Sequence, residues 1–236
     1  MDRFDTTRWS VVLDARGTGD GARAALESLC RTYRPPVLAY IHSRGYPSEV
    51  AEDLAQSFFM RFLERADYVE ADPSRGRFRA YLLTAIKHFL INAKVASQAV
   101  KRGRRVQFES IDHDGAGIDS LPPDGSNPEQ AFEQAWALAV LEAALRRLRD
   151  EAQLAGKGKL FDHLRDFLAE QPDEADYARV AAALSLRRNT LAVSVHRMRH
   201  RLRELVREEV AQTAAGHDDF EIELRELRGA LGNAMK

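Results

Sequence analysis

The sequence predicts an all-α protein: two helical domains joined by an acidic flexible linker. Three observations predict it. Apolar residues recur at steps of three and four along nearly every long segment. Residues 108–128, FESIDHDGAGIDSLPPDGSNP, interrupt that pattern with Asp, Gly and Pro, the composition of a linker. The stretch Tyr177–Leu205, YARVAAALSLRRNTLAVSVHRMRHRLREL, reads as two helices separated by a tight turn. The expected division is a helical domain over 1–105, a linker over 106–128, a second helical domain over 129–210 and a helical extension over 211–236.

The chain has 236 residues and a formal net charge of −1, so affinity for nucleic acid must come from local clusters of charge. Cys30 is the single cysteine, which excludes an internal disulfide. Its neighbours Leu26, Leu29 and Tyr33 make it a small buried hydrophobe and not a reactive thiol. The opening MDRFDTTRWS has no apolar signal region, and no apolar run approaches the ~20 residues of a membrane span. A cytoplasmic protein without a membrane partner is expected.

In chain order, Thr6 or Thr7 caps a first helix through Trp9, Val12 and Leu13, which ends at GTGDG. Leu26, Leu29, Tyr33, Val37, Leu38 and Ile41 carry the next, in which Pro35-Pro36 predict a kink or a break. After the GYPS turn, Ser48 is the expected N-cap of a helix reaching about Ala66. One face of that helix holds Ala51, Leu54, Ala55, Phe58, Phe59 and Phe62, a core pattern. The other carries Glu49, Glu52, Asp53, Gln56, Met60 and Leu63. Acids near a helix N-terminus favour its dipole by about 0.3–1 kcal/mol, which accounts for the charges. It does not account for the apolar continuation, which suits docking to another protein, and both readings stand.

The next helix runs from about Phe78 to Ser97. Tyr81, Leu82, Ala85, Phe89 and Asn92 or Ala93 share a side, with Arg75, Arg77, Arg79, Lys87 and His88 around the rest. Aromatic residues interleaved with cations stack on unpaired bases, at about 1–3 kcal/mol per base. Phe89 reads as core; for Phe78 and Tyr81, core and stacking are both open. The basic run KRGRR closes this half.

The second half begins with a helix over Pro128–Arg149, pauses at AGKGK and resumes over Leu160–Ala169. Val180, Ala181 and Leu184 then give one helix an apolar face, SLRR forms the turn, and Leu191, Val195, Met198, Leu202 and Leu205 make the stripe of another. Its opposite side carries Asn189, Ala192, Val193, His196 and His200, flanked by Arg197, Arg199 and Arg203. Six arginines and no carboxylate lie between Arg187 and Arg203. A helix-turn-helix places its second helix in the major groove, where Asn189 and His196 would meet bases and the arginines would meet phosphates. A solvated basic face is the alternative. A last amphipathic piece spans Phe220–Leu231.

No catalytic constellation emerges. The histidines do not pair with Cys or Glu at metal-ligand spacing, and there is neither a phosphate loop nor a nucleophile elbow. Asp112 and Asp114 before Gly115 lack the bidentate Glu of a calcium loop. The expectation is a protein with no catalytic residue, no metal and no cofactor.

Three stretches, in this order and with this linker, resemble a bacterial sigma factor of the extracytoplasmic-function type, in the sigma-70 family. EVAEDLAQSFFMRFLE resembles region 2.2, commonly DAEDLxQExF, through Ala51, Glu52, Asp53, Leu54, Gln56 and Phe59. GRFRAYLLTAIKHFLIN resembles regions 2.3 and 2.4. ARVAAALSLRRNTLAVSVHRMRHRLREL resembles region 4.2 through Ala181, Leu184, Thr190, His196, Arg197, Arg199, Leu202 and Arg203.

The resemblance implies a non-enzymatic protein that binds core RNA polymerase and directs promoter-specific initiation. Glu49, Glu52, Asp53, Gln56 and Met60 would dock on the β′ clamp helices, with region 4 toward the β flap. Arg75, Arg77, Phe78, Tyr81, Lys87 and Asn92 would capture the opened minus-ten strand. Arg187, Arg188, Asn189, Thr190, Ala192, Val193, His196, Arg197 and Arg199 would contact the minus-thirty-five duplex. The acidic linker would thread toward the polymerase channel.

QSFF, LLTAIKHFLIN and SVHRMRHRLRELVREEVAQT further resemble a subgroup with an acidic C-terminal extension, matched here by Phe220–Leu231, which implies a link to serine/threonine kinases in place of a membrane anti-sigma factor. Several positions depart from the family pattern. The usual turn Gly is Ser185, which costs on the order of 1 kcal/mol where positive φ is required. The usual capping Ser is Arg187, so Asn189 is a candidate cap. The usual Lys-Ser pair is Ala192-Val193, which shifts readout toward apolar contact. Val50 and Ser57 stand where the pattern has acids. Ser57, beside Asp53, is therefore a candidate phosphorylation site whose added charge would complete the docking face; an ordinary small helix residue is the plainer reading. A duplex-operator regulator acting without polymerase, and a helical adaptor with no DNA role, remain the rivals.

Overall fold

The structure, a computed structural model, describes residues 19–64, 77–102, 127–212, 214 and 217–234, of which 97–102, 217, 233 and 234 by backbone alone. The helix expected around Trp9, the residue Arg75 and all but the last residues of the 106–128 linker lie outside the described residues. The rest is helical: α1 (Asp20–Ser43), α2 (Ser48–Glu64), α3 (Phe78–Arg102), α4 (Pro128–Leu154), α5 (Gly158–Leu164), a 3-10 turn (Asp166–Leu168), α6 (Glu174–Leu184), α7 (Arg188–Ala211) and α8 (His217–Ala234). No strand occurs among the described residues.

Pro35-Pro36 do not break α1. Their missing N–H groups leave the carbonyls of Arg31 and Thr32 without helical donors. Burial of Leu29, Tyr33, Val37, Tyr40 and Ile41 around the prolines offsets that loss. Gly45, at φ 84°, makes the turn out of α1. Ser48 is already helical, and the Ala51 N–H donates to the Pro47 carbonyl at 2.8 Å, so the expected Ser48 cap falls one residue inside the helix. Asn127 caps α4, its side-chain oxygen accepting from the Glu129 N–H at 3.0 Å.

The chain divides into two compact units, residues 1–139 with 211–236, and Val140–Val210. In the first, α1, α2 and α3 bury Tyr33, Val37, Ile41, Ala51, Ala55, Phe58, Phe62, Phe78, Leu82 and Ile86. Tyr33 meets Phe78 edge-on at 5.2 Å, and Phe58 meets Phe89 at 5.6 Å. Phe132 and Trp136, from the first part of α4, are also buried. Cys30 is half-buried beside Leu26, Phe59 and Leu63 around a small apolar gap, and burial pushes its thiol up, away from the reactive thiolate.

The boundary thus falls inside α4, not in the linker, and the C-terminal extension groups with the first unit. The sequence division at 105 and 211 cannot show this, because α8 is tied to α3 by contacts about 150 positions apart along the chain.

The second unit holds two apolar clusters. One joins Ala144, Leu148, Ala152, Phe161 and Leu205, with Leu202 and Met198 against it. The other joins Leu164, Phe167, Val180, Leu191 and Val195, with Ala181 and Leu184 against it. The expected helix over Leu160–Ala169 is instead the short α5 followed by the 3-10 turn.

Candidate nucleic-acid and partner surfaces

The outer face of α2 is assembled by the same periodicity that builds its core face. With Ala51, Ala55, Phe58 and Phe62 buried, Glu49, Glu52, Asp53, Gln56, Ser57 and Met60 are turned to solvent. Met60 is 54% exposed and Val50, also on the surface, 44%. Glu52 is engaged by Arg34 from α1, a pairing of two half-exposed side chains. Leu63, expected to extend the stripe, is half-buried at the apolar gap, so the exposed stripe ends at Met60.

The start of α3 differs from its sequence reading. Phe78 is 1% exposed and packs between Tyr33 and Tyr81, so it supports the core and is not offered for stacking on a base. Tyr81 is half-buried, against Phe62 and Phe78. The Lys87 Nζ lies 2.6 Å from Glu129, and that bond holds the Glu129 carboxyl below its ordinary range. Asn92 is exposed.

Arg77 and Arg79 are drawn into acidic company. Arg77 Nη1 bonds Glu226 at 2.5 Å, with Glu223 3.9 Å from its Nε. Arg79 is buried between Glu133, Glu223 and Glu226, with its guanidinium 4.0 Å over the Trp136 ring. Burial pushes the Glu223 carboxyl up, with Arg79 and Arg77 pulling against it.

The turn between α6 and α7 is a Schellman arrangement. The Leu186 N–H donates to the Ala181 carbonyl at 3.1 Å and Ser185 N–H to Ala182 at 3.4 Å, with Ser185 left-handed at φ 53°, ψ 37°. Ser185 thus occupies the positive-φ position that favours glycine. The other end of α6 carries a signal the sequence reading passed over, the capping box DEAD. Asp173 accepts from Asp176 N–H at 2.8 Å, and Asp176 accepts from Asp173 N–H at 3.3 Å. Asn189 is not a cap: α7 starts at Arg188, and Thr190 and Leu191 N–H groups donate to the Arg187 carbonyl.

On α7, Leu191, Val195 and Leu205 are buried, while Asn189, Thr190, Val193, His196, Arg197 and Arg203, with Arg187 just before the helix, are exposed and Ala192 is half-buried. Three of the six arginines do something else. Arg188 is held by Glu174 through Nε and Nη2, both at 2.6 Å, and lies over the Tyr177 ring. Arg199 donates twice to the Phe167 carbonyl, at 3.0 and 2.6 Å, and once to Glu170, so it braces the chain before α6 and is not a free DNA contact. Arg201 joins Glu151, Glu204 and Glu208. Residues 187–203 lack carboxylates of their own, but Glu174 of α6, Glu151 of α4 and, from later on α7, Glu204 and Glu208 supply them.

Among the described residues no cluster of His, Cys, Asp and Glu could hold a metal ion, and no helix is long and apolar enough to cross a membrane. Residues 29–99 match the Sigma-70 region 2 family. ECF RNA polymerase sigma factor SigE of Mycolicibacterium smegmatis is 25% identical over 215 residues, 91% of this chain and 74% of the relative. RNA polymerase sigma factor YlaC of Bacillus subtilis is 25% identical over 182 residues, 77% of this chain and 92% of the relative. No solved structure matches the chain at a significant level. The exposed acidic face of α2 falls inside the matched segment, and these likenesses support a sigma factor that directs transcription initiation, similar to those of the extracytoplasmic-function type.

Proposed function

We propose that initiation is directed through three surfaces of this chain. The outer face of α2, Glu49, Glu52, Asp53, Gln56 and Met60, docks on the β′ clamp helices of core RNA polymerase. The start of α3, with Arg77, Tyr81, Lys87 and Asn92, receives the opened minus-ten strand over a core supported by Phe78. The exposed beginning of α7, Arg187, Asn189, Thr190, Ala192, Val193, His196 and Arg197, reads the minus-thirty-five duplex, with Arg188 available once Glu174 releases it. Region 4 then lies toward the β flap.

The observation that carries this reading is the α2 face. It combines acids with a half-exposed methionine opposite a side that buries Ala51, Ala55, Phe58 and Phe62, and helix-dipole stabilisation does not require that exposed apolar component. Ser57 is exposed on the same helix, next to Asp53, which supports it as a phosphorylation site for a serine/threonine kinase. Such a kinase, or an anti-sigma factor, would then govern the docking face.

Run-off transcription with purified core polymerase tests the reading. Product that requires this protein and vanishes with Asp53→Arg is expected. Duplex binding with no effect on polymerase would instead identify an operator-binding regulator. Loss of neither activity with Asp53→Arg would remove α2 as the docking surface. For the switch, Ser57→Asp should bind core polymerase more tightly than Ser57→Ala, and equal binding would dismiss it.

A further inference from the structure

The C-terminal helix α8 is absorbed by none of the three surfaces, yet it closes over one of them. Leu224 and Leu227 are buried, and Glu223 is 1% exposed, an unusual place for a carboxylate on a surface helix. Glu223 and Glu226, three residues apart, share one edge of the helix. That edge meets Arg77 and Arg79: Glu226 engages both guanidiniums, and Glu223 lies 3.2 Å from Arg79 Nη2. Guanidinium binds carboxylate and phosphate oxygens with the same planar fork of donors, so two carboxylates held here present to Arg77 what a nucleic-acid backbone would present.

We propose that α8 is an intramolecular occupant of the strand-capturing surface: Glu223 and Glu226 stand where phosphates of the opened strand bind, and single-stranded DNA displaces the helix. The proposal rests on the assignment of Arg77 to strand capture. Arg79 has a second anchor in Glu133 and Trp136, so the start of α3 keeps its core contacts when α8 leaves. Arg77 is the group that changes partner, because it is 27% exposed and its acidic contacts come from α8.

The test uses the full chain and a fluorescent single strand of about 15 nucleotides of mixed sequence, followed by anisotropy. Glu226→Gln keeps the shape of a side chain that is 41% exposed and removes its charge. It should tighten binding by on the order of fivefold, and Arg77→Ala should cancel that gain. Equal affinity of wild type and Glu226→Gln, with both weakened by Arg77→Ala, would overturn the occupancy while leaving strand capture intact. Binding indifferent to Arg77→Ala would remove strand capture and the proposal with it. In unmodified protein, hydrogen exchange over residues 217–234 should quicken when the oligonucleotide is added. Unchanged protection at saturating oligonucleotide would overturn the displacement.

Discussion

Arg79 Nη2 and the Glu223 carboxylate stand 3.2 Å apart with both side chains at 3% exposure or less. A buried pair gives little net stability, but removing one partner strands the other charge. Arg79→Ala should therefore destabilise the first unit by about 3–5 kcal/mol in urea unfolding. Arg79→Met with Glu223→Leu should recover part of that loss, and a purely additive double variant would argue against coupling. The single variant should also gain stability as pH falls. Burial already raises the folded Glu223 pKa, Arg79 opposes that rise, and an acid with a raised folded pKa favours the fold in its protonated form.

Arg199 and Arg197 lie two residues apart on α7 with different work. Arg199→Lys cannot reproduce three bonds to the Phe167 and Glu170 carbonyls and should cost about 1.5–3 kcal/mol of stability. Arg197→Ala should leave the melting temperature unchanged. It should weaken duplex binding uniformly and lower the salt slope by about 1. Thermal melts and titrations at several salt concentrations separate the two; a destabilised Arg197→Ala would reverse the assignment.

Ser185 holds a left-handed conformation at φ 53°. Such a conformation costs a non-glycine residue about 1–2 kcal/mol, and glycine gives back roughly 0.5–1 kcal/mol in chain entropy. Ser185→Gly should stabilise the second unit by a few tenths to about 1 kcal/mol, with duplex binding unaltered. Loss of stability in denaturant titration would contradict the turn geometry.

The second unit should weaken in acid. A bond from Arg201 lowers the Glu151 carboxyl; burial pushes Glu208 up, but Arg147 and Arg201 outweigh it and leave it lowered. Lowered folded values mean stability fully present above the ordinary glutamate value of 4.5 and lost as pH falls through the folded values. Glu151→Gln should flatten the fall in melting temperature below about pH 4.5. An unchanged pH profile would mean that Glu151 carries none of it.

Helix type and the principal apolar faces were legible along the chain because they rest on periodicity. Val180 and Leu184, and Leu191, Val195 and Leu205, pack as their spacing predicts. The core side of α2 packs likewise at Ala51, Ala55, Phe58 and Phe62, whereas Leu63 turns inward and the left-handed Ser185 is suggested only by the resemblance, whose usual residue there is glycine. What tertiary structure decided was the fate of the charged and ambiguous side chains. Spacing cannot tell whether Phe78 faces solvent or Tyr33, nor that the arginines of α7 meet Glu174, Glu151 and the carbonyl of Phe167. Nor does any local pattern join Arg77 to Glu226, 149 positions away. Periodicity is a property of neighbours in sequence, whereas the partner of a charge is whatever the packed apolar faces bring within about 4 Å.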